Sequence, residues 1–440
     1  MDKPNIVYLH SSETGRFVQP YGAPVFTPNI QRLAEEGTLF RNAFAASSTP
    51  SPSRAALLTG LWPHINGMIG PRERGFALRD ARTHIVNLLR DAGYHSTLAG
   101  NQEIAAEAGT IGYNAIPKGG SIASEHVVDF FDRCPCEPFF LDIGFNLTRR
   151  IPRLDASAQR PFIDNVKLPY GNVRHCHPPA PLPDTPETRL EIADFIVAVR
   201  ELDHQFGIVL HSLQKSGLDK NTVVICTTDT GMPFPFMKGT VTDLGVGVML
   251  IVRGPGGFEG GRVFDALVSQ IDILPTIFDL ASIDVPPALT GQSLVPLVQG
   301  RLNEVHPIVY AQQNYHSAYE PVRMARSRRW KYVRRFDDHE HICTANVQDS
   351  LAKQVLMKAG WGQTSIQRES LFDLMLDPQE TRNVIDDPYA TTALIEVRDA
   401  MDTWMKQSVD PILNGRIPHP TNAIVNPSDS TTSEHPKVHR

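Results

Sequence analysis

Residues 5–36 read NIVYLHSSETGRFVQPYGAPVFTPNIQRLAEE, and two patterns inside that stretch set the fold class. Asn5–Leu9 is a short apolar run rich in β-branched side chains, whereas Thr27–Glu36 spaces its apolar residues three and four apart. A buried strand followed by an amphipathic helix is the unit from which parallel sheets are built. The same alternation recurs. Thr97–Ala99, Phe139–Gly144, Thr222–Thr227 and Val246–Val252 read as further buried strands, and Ser53–Thr59, Thr83–Ala92, Thr185–Ser216 and Gln270–Leu280 show helical spacing. Asp184–Glu187 supplies the start signal for the longest helix and Gly217 its stop. The expectation is an α/β fold with a mostly parallel central sheet flanked by helices.

The pattern changes after about Gly300. Ile308–Gln312, Met324–Ser327 and Trp330–Arg334 read as short strands joined by turns, and Leu394–Met405 as a terminal helix. This predicts a main domain over residues 1–300 and a smaller C-terminal α+β subdomain over 301–417. Residues 418–440, polar and proline-rich, read as a flexible tail. Ligands of open parallel sheets collect beyond the carboxyl ends of the strands, so Ser11–Thr14, Gly100–Glu103, Phe145–Arg150 and Thr228–Gly231 are the first places to look for chemistry.

The chain has 440 residues, of which 41% are hydrophobic and 20% charged, values that exclude a disordered, collagenous or coiled-coil chain. A formal charge of −6 gives no electrostatic case for nucleic acid or an anionic membrane as partner. The first residues show neither a signal-peptide core nor a membrane span, and the five cysteines suggest no disulfide framework. A cytoplasmic location is expected.

Thr49–Gly60 reads TPSPSRAALLTG. Together with PNIVYLHSSETGR, TPNIQRLAEEGTLFRNAF, ICTTDTG followed by MKG, LPDTPETR, QIDILPTIFDLA, TGQSLVPLV and LFDLMLDPQETRN, it resembles the sulfatase family of the alkaline phosphatase superfamily over roughly residues 4 to 405. The resemblance implies the α/β fold already read from the pattern. It also implies a cysteine in a C-x-P-S-R motif, oxidised to a formylglycine whose hydrate attacks sulfur, beside a divalent cation, usually calcium.

Residue by residue, the implied machinery is altered. Pro52, Ser53 and Arg54 match the end of the motif, which sets Pro50 where the cysteine belongs. Ser12 and Glu13 stand where paired metal-binding residues are implied; Asp229 matches the family acid, and Thr230 replaces the implied His or Asn. Asn101 and Glu103 replace a lysine and a histidine, and Arg149 a second histidine; Lys238 alone looks like an intact sulfate-contacting base. Only Glu13 and Asp229 remain as metal candidates, so no resident cofactor is expected unless calcium survives on that remnant. Formylglycine-dependent hydrolysis is expected to be lost.

The replacements are polar, so Glu13, Thr49, Ser51, Arg54, Asn101, Glu103, Arg149, Arg150, Asp229, Thr230 and Lys238, with Ser12, should converge on a cavity of mixed charge. One reading is a repurposed pocket that binds or transforms a small anionic molecule, clamped by Arg54, Arg149 and Lys238. The blander one pairs Glu13 and Glu103 with those cations as salt bridges in a relic cleft. A rival keeps ester hydrolysis, with Thr49 or Ser51 as nucleophile at a helix N-terminus, against the plain reading of both as cap or turn residues. A third is a non-catalytic subunit that pairs with itself or with a homologous chain. His175–Cys176–His177 and Cys134–Pro135–Cys136 read as loop and turn residues, the cations of Arg326–Arg335 as a solvated strand face, and His64 as structural.

Overall fold

The structure, a computed structural model, describes residues 3–117, 123–133, 135–151, 161–162 and 171–434. Among the described residues seven strands form the main sheet: β1 (Asn5–Ser11), β2 (Thr38–Phe44), β3 (His95–Gly100), β4 (Phe139–Phe145), β5 (Thr222–Thr228), β6 (Leu250–Arg253) and β7 (Arg262–Ser269). Their spatial order is β3-β4-β1-β5-β6-β2-β7, and only β6 runs against its neighbours. The sheet is therefore the mostly parallel one expected.

Along β1 the side chains alternate between two cores. Ile6 and Tyr8 pack into one, Val7 and Leu9 into the other, and all four are buried. A strand covered on both faces must be apolar throughout, which is why NIVYL carried no alternation. The helix Pro186–Ser216, started by the Thr185 hydroxyl accepting from the Thr188 N–H and closed at Gly217, covers one face along with the helix Pro28–Glu36.

Register decides where the chemistry emerges. Ser11 lies opposite Phe145 of β4 and Thr228 of β5, and Gly100 opposite Gly144. Ser12, Asn146, Asp229 and Asn101 thus leave the sheet at one edge. Gly144 is needed there, because a Cβ on it would sit 1.9 Å from the Asn101 carbonyl oxygen.

A second, antiparallel sheet is formed by β8 (Val309–Tyr315), β9 (Tyr319–Arg326), β10 (Trp330–Arg335) and β11 (Glu369–Asp373), with the helix Thr391–Gln407 against it. The cations of this sheet do not form a solvated face, contrary to the sequence reading. Arg326, Lys331, Arg334 and Arg335 each meet a carboxylate, and Lys331, 0% exposed, is shared by Asp243 and Glu380. His64 is structural as expected, bonded to Gln312 Oε1 and the Ser408 carbonyl.

Three further expectations are corrected. Val246–Val252 begins as a helical turn, Asp243–Val246, and only its end enters β6. Strands β2 and β7 were not anticipated, since Arg41 and Asp265 interrupt their apolar runs; the two pair as an exposed ion bridge. Residues 418–434 do not trail free: Asn426 bridges to Ala318 and its N–H donates to the Ser317 carbonyl at 2.8 Å.

Candidate functional site

Glu13 is the pivot of the sheet edge. Its φ of 59° lies in the left-handed region, a conformation that costs a non-glycine residue about 1–3 kcal/mol and is held here by its surroundings. The Glu13 N–H donates to Asp229 Oδ1 at 2.8 Å, while Lys238 Nζ donates to Glu13 Oε1 at 2.5 Å. Asp229 Oδ2 accepts from Arg54 Nε at 3.0 Å, and Arg54 Nη2 donates to Ser12 Oγ at 2.6 Å. Ser12 Oγ in turn donates to Asn146 Oδ1, which also accepts from Asn101 Nδ2 at 2.8 Å. Thr230 Oγ1 donates to Asp229 Oδ1 at 3.3 Å.

Glu103 joins the network from β3. Burial pushes its carboxyl up, but Arg149, Arg54, Lys238 and Arg72 outweigh burial and hold it below the usual range. Arg149 Nη1 donates to Glu103, and Nη2 to Glu73 Oε1 at 3.1 Å. Arg54, Arg149 and Lys238 therefore face Glu13, Glu103 and Asp229, and the formal charges of these six cancel. The pairing of Glu13 and Glu103 with these cations is the blander alternative read from the sequence.

The helix Pro50–Thr59 starts at this edge with Thr49 as its N-cap, in extended backbone and with no side-chain cap bond. Proline at residues 50 and 52 removes two of the first three N–H groups, so its N-terminus offers an anion little beyond the Ser51 amide. Ser51 Oγ accepts the Arg72 N–H at 3.0 Å. Thr49 Oγ1 donates to the Tyr315 carbonyl at 3.4 Å and lies 3.3 Å from His316 Nδ1.

His316 was not singled out from the sequence. It stands between β8 and β9 of the second sheet, where no pattern ties it to the parallel edge. Burial, with Lys238, Arg74 and Arg149 nearby, pushes its imidazole well below the ordinary histidine range, so it is neutral. Asn146 was also missed, although it belongs to the Phe145–Arg150 segment.

These groups border a cavity of about 530 Å³, whose wall includes Glu13, Pro50, Ser51, Arg149, Lys238 and His316. Arg150 borders it too, but its guanidinium is committed elsewhere. It makes a two-pronged bond to Glu191 at 2.9 and 3.2 Å, and Glu191 accepts the N–H groups of Leu351 and Ala352 at the start of the helix Leu351–Lys358. A ligand-binding role for Arg150 is thereby replaced by a structural one.

A calcium ion takes about six to eight oxygen ligands. Of the carboxylate oxygens of Glu13 and Asp229, only Glu13 Oε2 lacks a partner among the described residues; Arg54 and Lys238 already neutralise the two groups. Among the described residues no group of three or more His, Cys, Asp or Glu is arranged to hold a metal. This donor set does not fit the cation. Elsewhere, Cys176 is buried and His177 is exposed beside Asp184, as loop residues; Cys136 is exposed and free, and Cys134 lies outside the described residues. Among the described residues no helix is long and apolar enough to cross a membrane.

Comparison with known proteins extends the picture. The family model described as Sulfatase matches residues 4–283, and that described as N-sulphoglucosamine sulphohydrolase, C-terminal, matches residues 235–350. The chain is 28% identical to a human N-sulphoglucosamine sulphohydrolase, covering 88% of this chain and 86% of that protein. It is 25% identical to an ulvan-active sulfatase of Formosa agariphila, covering 92% and 75%. A solved 2-O GAG sulfatase superposes with a TM-score of 0.70 over 98% of each chain at 22% identity, a likeness that bears on the fold.

Proposed function

The chain belongs to the sulfatase family, and from that premise we propose that its pocket binds a small anionic molecule without formylglycine-dependent sulfate hydrolysis. One observation carries the reading: Pro50, which the motif resemblance sets where the family's cysteine belongs, is the first residue of the helix Pro50–Thr59 and borders the cavity. Proline has no thiol to oxidise and no side-chain nucleophile. The relatives' names describe enzymes that act on sulfated substrates, which supports an anion as the ligand class.

Charge narrows that class. Each of Arg54, Arg149 and Lys238 already has a carboxylate partner, so a dianion would have to break a pair, whereas a singly charged group can share the remaining donors of Lys238 and Arg149. Calorimetric titration with a monosaccharide sulfate and with inorganic phosphate tests this. We expect the sulfate ester to bind unchanged in structure and Arg149→Ala to weaken it; release of free sulfate by the unaltered chain would refute the proposal.

A second reading has one contact in its favour. His316 Nδ1, neutral, lies 3.3 Å from Thr49 Oγ1, so the hydroxyl would pass its proton to the ring on rotating away from the Tyr315 carbonyl, which supports ester hydrolysis with Thr49 as nucleophile. Turnover of an aryl sulfate or phosphate that is lost in both Thr49→Val and His316→Gln would establish it over the first.

A further inference from the structure

The last described residues reach the cavity, where Ser433 and Glu434 border it. Arg74, 4% exposed, pins them: its Nη1 donates to Asn426 Oδ1 at 2.9 Å and to the Ile424 carbonyl at 3.3 Å, and its Nη2 to the Ser433 carbonyl at 2.5 Å. Asn426, also 4% exposed, gathers the segment on itself, with Nδ2 donating to the carbonyls of Thr432 at 3.0 Å and Glu434 at 2.8 Å. The Ile424 N–H donates to the Arg74 carbonyl at 2.9 Å, and the Thr432 hydroxyl bonds to Asp349. Ser433 and Glu434 are thereby set in the wall that Lys238 and His316 share.

We propose that residues 420–434 form a fixed wall of the cavity which limits it to small free anions and refuses polymeric ones. This rests on the anion-pocket reading and specifies its ligand. Two features carry it. The space of about 530 Å³, open on one side, suits one molecule of drug size. Glu434 adds to the lining a carboxylate with no cation partner among the described residues, whereas Glu73 and Asp349 are paired with Arg149 and Lys353, so a polyanion that continues past the segment meets an unneutralised like charge there. Arg74 is the positioning residue: its buried guanidinium finds its acceptors on the segment and on the Ser317 carbonyl.

The full chain, the Asn426→Ala variant and a chain ended after Pro418 are compared by amide hydrogen exchange and by binding of a monosaccharide sulfate and of a sulfated polysaccharide built from the same unit. In the full chain the amides of Ile424 and Asn426, both hydrogen-bonded, should exchange as slowly as those of β9. The monosaccharide should bind and the polysaccharide should compete at least about tenfold less well per sugar unit, a gap of roughly 1.4 kcal/mol. Both altered chains should narrow that gap. Rapid exchange of the segment, or equal competition by the polysaccharide in the full and altered chains, overturns the wall while leaving the anion pocket in place. Binding of neither probe by any of the three chains overturns the anion-pocket reading itself and the wall with it.

Discussion

Lys238 Nζ lies 2.5 Å from Glu13 Oε1, and both side chains are about 1% exposed. A pair so enclosed holds each charge only because the other is present. Removing one partner of such a pair costs about 3–5 kcal/mol, whereas replacing both by neutral groups of similar volume is near neutral. Lys238→Ala should therefore lower the unfolding free energy by that amount, and Lys238→Met combined with Glu13→Gln should recover most of it. Denaturant unfolding of the single and double variants checks this; additive losses would mean that the two charges do not depend on one another.

Restoring the missing thiol should not restore the reaction. In Pro50→Cys, coexpressed with the enzyme that makes formylglycine, the aldehyde would face Arg54 and Lys238 already bound to carboxylates, with Asn101, Glu103 and Arg149 in place of the lysine and histidines that the family uses. A positioned acid–base group alone contributes about 10²–10⁴-fold in rate. Aryl sulfate turnover is expected to stay at background even where mass spectrometry confirms the aldehyde. Turnover in that variant would show that Lys238 and the polar replacements suffice.

Calcium should leave the unaltered chain unmoved. With Arg54 on Asp229 and Lys238 on Glu13, a divalent ion would have to displace two cations before finding oxygen ligands. Thermal unfolding in millimolar calcium and in excess chelator should coincide. Binding to the folded state alone would instead raise the midpoint with concentration. The combination Ser12→Asp, Thr230→Asn and Lys238→Ala, which adds donors and removes the competing ammonium, should acquire such a dependence.

The sequence revealed the parallel core because strands buried on both faces leave continuous apolar runs, as in Asn5–Leu9 and Phe139–Gly144. It concealed β2 and β7, where Arg41 and Asp265 face solvent and each other across the sheet. At the site, residues that directly follow the strands were legible: Ser12, Glu13, Asn101, Glu103, Arg149 and Asp229 form one network as their positions implied. Sequence distance hid the rest. His316 meets Thr49 across 267 positions and Asn426 meets Arg74 across 352, and neither contact leaves a local pattern in composition or periodicity. Proline-rich polarity after Pro418 suggested a loose tail because hydrogen bonding to a distant buried arginine has no signature in the segment itself.

Acid should destabilise the fold well before its carboxylates titrate. Burial pushes His84 down to about 4 and holds His10, His64 and His316 below the ordinary histidine value, in His10 despite its bond to Asp142. In the unfolded chain all four take up a proton near pH 6.5. Between that pH and the lower folded values the unfolded state binds more protons, so stability must fall as pH drops, with His84 alone accounting for on the order of 3 kcal/mol by pH 4. His306 opposes this. Asp272 raises it against the effect of burial, so its contribution is complete in acid and is lost as pH rises through its folded value. The large His84 shift, with three further lowered imidazoles on its side, sets the direction, and the unfolding midpoint should decline from pH 7 to pH 4. His84→Gln should flatten part of that slope; an unchanged midpoint across the range would mean that these imidazoles reach water or a counter-charge when protonated.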